Sequence, residues 1–250
     1  MDYGHVCAAV EAEIAAFAQD VRGSDPVTPV RTCPPWDLAE LLRHIGSIHR
    51  WAGQMVRDKA PERLSFRSLD LQLPSEPKDY PDWLAAGGTW LAGIFRTADP
   101  DAPTWAWGAD QHAQFWGRRM LHETTVHRAD ALLALGRDPR IESARAVDGI
   151  DEFLENLPHA ASFAPNVKDI RGDGETLHFH CTDAEGEWMI QLNPQGFSWE
   201  HGHGKGSIAV RGAAADLLLL VYGRLKPADE RFERFGDEAV LERWLTSAHF

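Results

Sequence analysis

The stretch 118–136, RRMLHETTVHRADALLALG, limits what this chain can fold into more than any other. Met120, Leu121, Thr124, Leu132 and Leu135 recur near the helical period, and Gly136 is a natural stop, so the spacing predicts a long helix. Three metal-capable side chains sit inside it: His122, Glu123 and His127. Side chains four apart lie about 40° apart around a helix axis, which puts Glu123 and His127 on one face. By the same geometry His122 falls roughly 140° from His127 and points elsewhere. A Glu-x-x-x-His pair is often only a solvated pair on a helix surface. Here Phe115, Trp116 and Met120 precede it and Ala129, Leu132 and Leu133 follow. In so apolar a helix the pair faces an interior or a cleft and needs a partner, and a divalent metal is one such partner.

A third ligand has to come from another element. The run TCPPWDLAELLRHIGSIHRWAGQMV carries Asp37 and Glu40 in capping-box spacing, so a second helix starts there and runs to about residue 59. Leu41, His44, Ile45, Ile48, Trp51 and Ala52 lie on or near one face of it, whereas His49 lies off that face. His44 is either a satisfied core histidine or the ligand that the Glu123/His127 pair lacks. Residues 3–20 read as a first helix, with Val6, Val10, Ile14 and Phe17 on one stripe, and residues 82–98 and 143–157 read as two more. Residues 61–81 form a polar loop too long to be a simple connector. Long amphipathic helices joined in this way suggest a four-helix bundle, in which metal sites form from side chains of facing helices.

Residues 158–174 gather Pro, Asn, Gly and Asp, and the domain boundary is placed there. The expected units are a bundle over 1–158 and a smaller domain over 172–250. In the latter, residues 176–181, 188–192, 196–200 and 207–211 read as strands. Residues 213–225 read as an apolar helix and 237–245 as a last helix capped by Asp237. The fold class is therefore α+β. His178 and His180 share one strand face, and His201 and His203 sit on the glycine-rich turn HGHGKG. With no acidic or cysteine partner at ligand-like spacing, both pairs read as structural or surface residues.

Composition narrows the function. At 250 residues and 44% hydrophobic content the chain can bury a sizeable core. A net charge of −13 argues against a nucleic-acid partner. The densest apolar run, residues 217–221, is far too short to span a bilayer. The N-terminal MDYGHVCAAVEAEI has acidic residues where a secretory signal carries basic ones, so a cytoplasmic location is expected. Cys7, Cys33 and Cys181 form neither a disulfide framework nor a zinc-ribbon spacing. Cys33, just before Pro34 and Pro35, is either a nucleophile or a reduced thiol buried near a helix start.

The segments CPPWDLAELLRHIGSIHRWA and FWGRRMLHETTVHRADALLALG resemble the two signature helices of DinB-like metal-binding bundles. More narrowly, they resemble the mycothiol-dependent maleylpyruvate isomerase family. The tail segments GEWMIQL, HGKGSIAVRGAAADLLLLVYGRL and FGDEAVLERW resemble that family's C-terminal domain, so the likeness covers nearly the whole chain. It implies a metal triad of His44, Glu123 and His127, with zinc as the metal and mycothiol as the cofactor. It also implies that Arg224, in YGRL, helps bind substrate carboxylates. Family members use basic residues of the loop after the second helix as well, where this chain offers Arg63 and Arg67.

Two His and one Glu leave a position open on zinc, where a thiol would lose its proton at neutral pH. The expected partners are a low-molecular-weight thiol and an electrophilic small molecule. Collapse of the adduct after bond rotation is isomerisation, and persistence of the adduct is S-conjugation. A metal-dependent hydrolase with the same triad is one rival. The other is a non-catalytic metal-binding protein, for which Glu40, one turn before His44, is the nearest candidate for a fourth ligand.

Overall fold

The computed structural model describes residues 2–248. Packing divides the chain into two compact units, Met1–Pro139 and Arg140–Phe250.

The first unit is built on four helices: α1 (Tyr3–Val21), α2 (Leu38–Arg57), α3 (Tyr80–Thr97) and α4 (Ala113–Ala134). α1 and α2 each pack against both α3 and α4, so the four enclose one core. The expected capping box starts α2. The Asp37 carboxylate accepts from the Glu40 amide at 2.9 Å, and the Glu40 carboxylate accepts from the Asp37 amide at 3.1 Å. Gly46 and Gly53 lie seven apart on α2, where a Cβ would overlap the rings of Trp83 and Trp90; glycine is what lets α3 approach so closely. α4 is buried nearly all round, polar residues included: Arg119, His122, Thr124 and Asp130 lie inside with Trp116 and Leu121. It stops where Gly136 takes φ +68° and Arg137 N–H bonds back to the Leu132 carbonyl at 2.8 Å. The long loop before α3 contains single 3-10 turns at Phe66–Ser68 and Pro77–Asp79. The indole N–H groups of Trp51 and Trp83 hold it down by donating to the carbonyls of Leu64 and Leu71 at 2.9 and 2.8 Å.

The second unit contains α5 (Ser143–Asn156), β1 (Thr176–Cys181), β2 (Glu187–Asn193), β3 (Gly196–His201), β4 (Ile208–Gly212), α6 (Ala214–Val221), β5 (Glu233–Gly236) and α7 (Glu238–Ser247). The strands form one sheet in the order β3-β2-β1-β4-β5. β1 runs parallel to β4, and the other pairings are antiparallel. Leu177, Phe179, Trp188, Ile190, Ile208 and Val210 alternate onto the buried face, where α6 and α7 pack. His178, His180, Glu187 and Met189 alternate onto the opposite face.

The units divide ahead of α5, not after it as the composition of residues 158–174 suggests. α5 packs on α6, Phe153 lies 4.9 Å from the Tyr222 ring, and the Trp188 indole donates to Asp151 at 2.6 Å. The Pro-rich segment is thus internal to the second unit, wound into 3-10 turns at Leu157–Ser162 and Pro165–Asp169. β5 has no sequence signal of its own: ERFG is short and mostly exposed, and only pairing with β4 makes it a strand. α6 ends at Val221, short of the expected 225, because Gly223 adopts φ +71°. No described helix is long and apolar enough to cross a membrane.

Candidate metal centre

α2 and α4 bring His44, Glu123 and His127 together. His44 Nε2 lies 3.4 Å and His127 Nε2 3.3 Å from the same oxygen, Glu123 Oε1. The two imidazoles meet edge to face at 5.1 Å. The one-turn spacing of Glu123 and His127 does what the helical geometry predicts, and His44 reaches them from the facing helix. Each of the three is held from behind. The other Glu123 oxygen, Oε2, lies 3.3 Å from the guanidinium of Arg119, which is buried one turn earlier on α4. His127 Nδ1–H donates to Asp130 Oδ2 at 2.8 Å, which fixes the ring orientation and turns Nε2 toward Glu123 and His44. The Trp36 ring lies 4.7 Å from His44 and 6.2 Å from His127 and walls one side.

The electrostatics fit a cation. Burial by itself would raise the Glu123 carboxyl, but hydrogen bonds from His127 and His44 and the charge of Arg119 hold it well below the usual carboxylate range. Burial by itself would lower His127, but its bonds to Asp130, Cys33 and Glu123 lift it well above the usual histidine range. The fold therefore maintains an anion flanked by imidazoles, one of which holds a proton that a metal would displace. The donor set, two imidazole nitrogens and one carboxylate oxygen within 4.8 Å of one another, suits zinc or a similar divalent ion. Among the described residues this group offers three protein donors, which would leave a position open on a four-coordinate ion. Glu40 is not among them; its carboxylate is used in the capping box of α2.

Several neighbours escape the sequence. Cys33 and Trp36 sit on the turn before α2, which is tied by Cys33 N–H to Val30 O, Trp36 N–H to Cys33 O and Val30 N–H to Trp36 O, at 2.8 to 3.0 Å. The Cys33 thiol donates to Asp130 Oδ2 at 3.2 Å, so Cys33, His127 and Asp130 form a second, overlapping donor group. Asp130 stands three residues after His127, a spacing that could have flagged it as a supporting carboxylate. His49 lies in the interior, contrary to its place off the apolar stripe. It is fully buried, and its Nε2 meets the Thr124 hydroxyl at 2.8 Å, next to Glu123. Burial pushes it down to about 3, so it is a neutral strut between α2 and α4. His122 is buried on another face of α4 and belongs to neither donor group.

The remaining expected residues belong to neither donor group. Arg63 has its guanidinium 5.9 Å above the Trp51 ring, and Arg67 is exposed on the loop. Arg224 belongs to the second unit and follows α6 instead of riding on it. Its guanidinium donates to the Tyr222 carbonyl at 2.6 Å and lies 5.9 Å from the Tyr222 ring.

Comparison with known proteins gives the family and the fold. Residues 7–132 match the family model for the mycothiol maleylpyruvate isomerase N-terminal domain, and residues 145–243 match the MDMPI C-terminal domain. A crystal structure of a mycothiol-dependent maleylpyruvate isomerase superposes with a TM-score of 0.59 at 12% identity, covering 94% of this chain and 93% of that one. A mutant of a mycothiol-dependent maleylpyruvate isomerase superposes with the same TM-score and identity, at 90% coverage of both chains. No curated protein sequence matches the chain.

Proposed function

The chain belongs to the mycothiol maleylpyruvate isomerase family, and from that premise we propose that it is a metal-dependent, thiol-using enzyme, an isomerase or S-transferase, whose metal is held by His44, Glu123 and His127. The observation that carries this reading is the convergence of two Nε2 atoms on one oxygen of Glu123. Zinc is the metal we assign and mycothiol the thiol. When bound, the metal would act as a Lewis acid that keeps a thiol deprotonated at neutral pH, the form that attacks an electrophilic carbon.

The protein's own groups prepare that chemistry. Asp130 holds the Nδ1 proton of His127, so Nε2 stays available as a donor. Arg119 engages Glu123 Oε2 and leaves Oε1 as the single donor oxygen. Trp36 lies against the His44 ring and near that of His127 and gives the site one apolar wall. Arg224 is our candidate for binding a substrate carboxylate, because a guanidinium fork pairs with it bidentately. A structural, closed site would need a fourth donor, and the commitment of Glu40 to the helix cap speaks for the open alternative.

The test is metal analysis of the purified protein, a mycothiol titration, and an assay of maleylpyruvate and a panel of electrophilic alkenes and epoxides with and without the thiol. We expect one bound metal at this site and thiol-dependent turnover. Metal-dependent hydrolysis without any need for thiol would overturn the thiol reading in favour of a hydrolase. Arg224→Lys keeps the charge but loses the fork. For an acidic substrate it should lower kcat/KM about tenfold or more, the worth of one charged hydrogen bond, with metal content and thiol binding unchanged. Unchanged kinetics in both Arg224→Lys and Arg224→Ala would remove Arg224 from substrate binding.

A further inference from the structure

The second unit carries a histidine cluster that the reaction proposed above does not use. Strand register creates most of it. His178 and His180 alternate onto the open face of β1, and antiparallel pairing sets Glu187 of β2 directly opposite His180. The segment after β3 then folds back over this face and adds His203. The three imidazoles lie 5.2 to 6.1 Å apart, centre to centre. All three surround the Glu187 carboxylate. Oε1 is 2.6 Å from His180 Nδ1, and Oε2 is 3.0 Å from His203 Nδ1 and 3.6 Å from His178 Nε2. His201, which the sequence pairs with His203, turns away to Asp151 at 3.1 Å.

Two features separate this group from an ordinary ion-pair patch. First, His178 is 5% exposed, and its buried Nε2 has no hydrogen-bond partner among the described residues. A buried imidazole nitrogen facing a carboxylate without bonding to it is an uncommon arrangement for a folded protein to keep. It is a donor atom aimed at a place where something else can sit. Second, the backbone is shaped to close over it. A Cβ at Gly206 would stand 3.2 Å from His178 Cβ and 2.6 Å from the Ile208 carbonyl, and one at Gly204 would stand 3.3 Å from Met189. The glycines of GHGKG let residues 202–206 lie directly on the sheet and deliver His203 to the other three.

We propose that His178, His180, Glu187 and His203 form a second cation site, which takes a divalent transition metal of the zinc class and ties the 202–206 segment to the sheet. Four donors within 4.8 Å of one another match a four-coordinate ion, whose ligand atoms stand roughly 3.3 Å apart at metal–ligand distances near 2.0–2.1 Å. Three imidazoles and one carboxylate are the donors that zinc-class ions select over magnesium or calcium, which prefer all-oxygen sets. With all four positions supplied by protein, the site is of the closed, structural kind. It stands on residues separate from the bundle triad and holds whether or not that triad binds metal.

The chain contains its own reporter, since Lys205 is exposed within the segment to be tied down and trypsin cuts after it. The experiment uses the full-length protein in a His127→Ala background, which removes the bundle site from the metal count. Zinc chloride is titrated against a chromophoric chelator, and tryptic cleavage after Lys205 is followed in zinc and in EDTA. We expect one equivalent of zinc to bind and to slow that cleavage at least about tenfold. His203→Ala changes a mostly exposed side chain and should leave the fold intact, as its circular dichroism melt will show. It should weaken zinc by more than the roughly 10–100-fold that loss of a mere supporting residue costs. His180→Ala should do the same. Zinc affinity and cleavage rate unaffected by both replacements would overturn the site, as would equal cleavage in zinc and EDTA. Loss of metal from wild-type protein on His127→Ala alone, with the second site still titrating, would leave this proposal standing and bear only on the bundle.

Discussion

The two histidine–carboxylate clusters of this protein use the same chemistry on different frames. The bundle cluster is built on two helices, where His44, Glu123 and His127 are each braced by a group that is not itself a donor there. Asp130 orients His127, Arg119 engages the second oxygen of Glu123, and Trp36 lies against His44. Among the described residues the sheet cluster shows no such bracing. Its carboxylate, Glu187, contacts all three histidines by itself, and one of them, His203, is three-quarters exposed on a glycine-rich segment. A helix spaces its side chains in rigid turns, so it can offer some as ligands and others as their supports. A strand offers only alternate residues, and a loop has to supply the rest. On the readings proposed above, chemistry belongs to the bundle and fastening to the sheet.

That division breaks most visibly at the ligands. His127→Ala should empty the bundle site and lower thiol-dependent kcat/KM by ~10³-fold or more, since a Lewis acid is worth several kcal/mol of barrier. His203→Ala should leave kcat/KM where it was. A comparable collapse in both variants, measured by steady-state kinetics at matched metal content, would erase the distinction. If His127→Ala keeps stoichiometric metal, the triad is misassigned.

The bracing is tested one step out. Asp130→Ala should weaken zinc at the bundle about 10–100-fold by releasing the His127 ring, read by chelator competition. Wild-type affinity in that variant would mean the bundle cluster is no better supported than the sheet cluster.

A pH series sharpens the comparison further. His127 is held above the usual histidine range by Asp130, Cys33 and Glu123, with burial opposing. In the metal-free fold it keeps a proton that metal must displace. Zinc affinity at the bundle should therefore rise about tenfold per pH unit up to the raised pKa and level off above it. A flat profile from pH 6 upward would show that His127 is already neutral in the empty fold.

The smallest effect belongs to Cys33. It shares His127 and Asp130 in the overlapping donor group, but the triad reading leaves it outside the metal. Cys33→Ala should retain stoichiometric metal, and loss of that metal would move the ion from Glu123 to the thiol.

What the sequence determined by itself is local. Helical period, the Asp37/Glu40 box and the Gly136 stop are effects of residues within a turn or two, so α2 and α4 appear close to where they were expected. The Glu123/His127 spacing is likewise a property of one helix, and His44 was singled out by the apolar stripe of another. Tertiary structure decided whatever depends on how separate segments meet. α5 joins the second unit because Trp188 and Tyr222 pack against it from far along the chain. His49 is internal because Thr124 faces it across a helix interface, not because of its own neighbours. Glu187 completes a histidine cluster only through the register of β1 against β2, and His203 only through a return over the sheet. No spacing within a single segment records those pairings, because a strand's partner is fixed by packing across the whole unit rather than by its own residues.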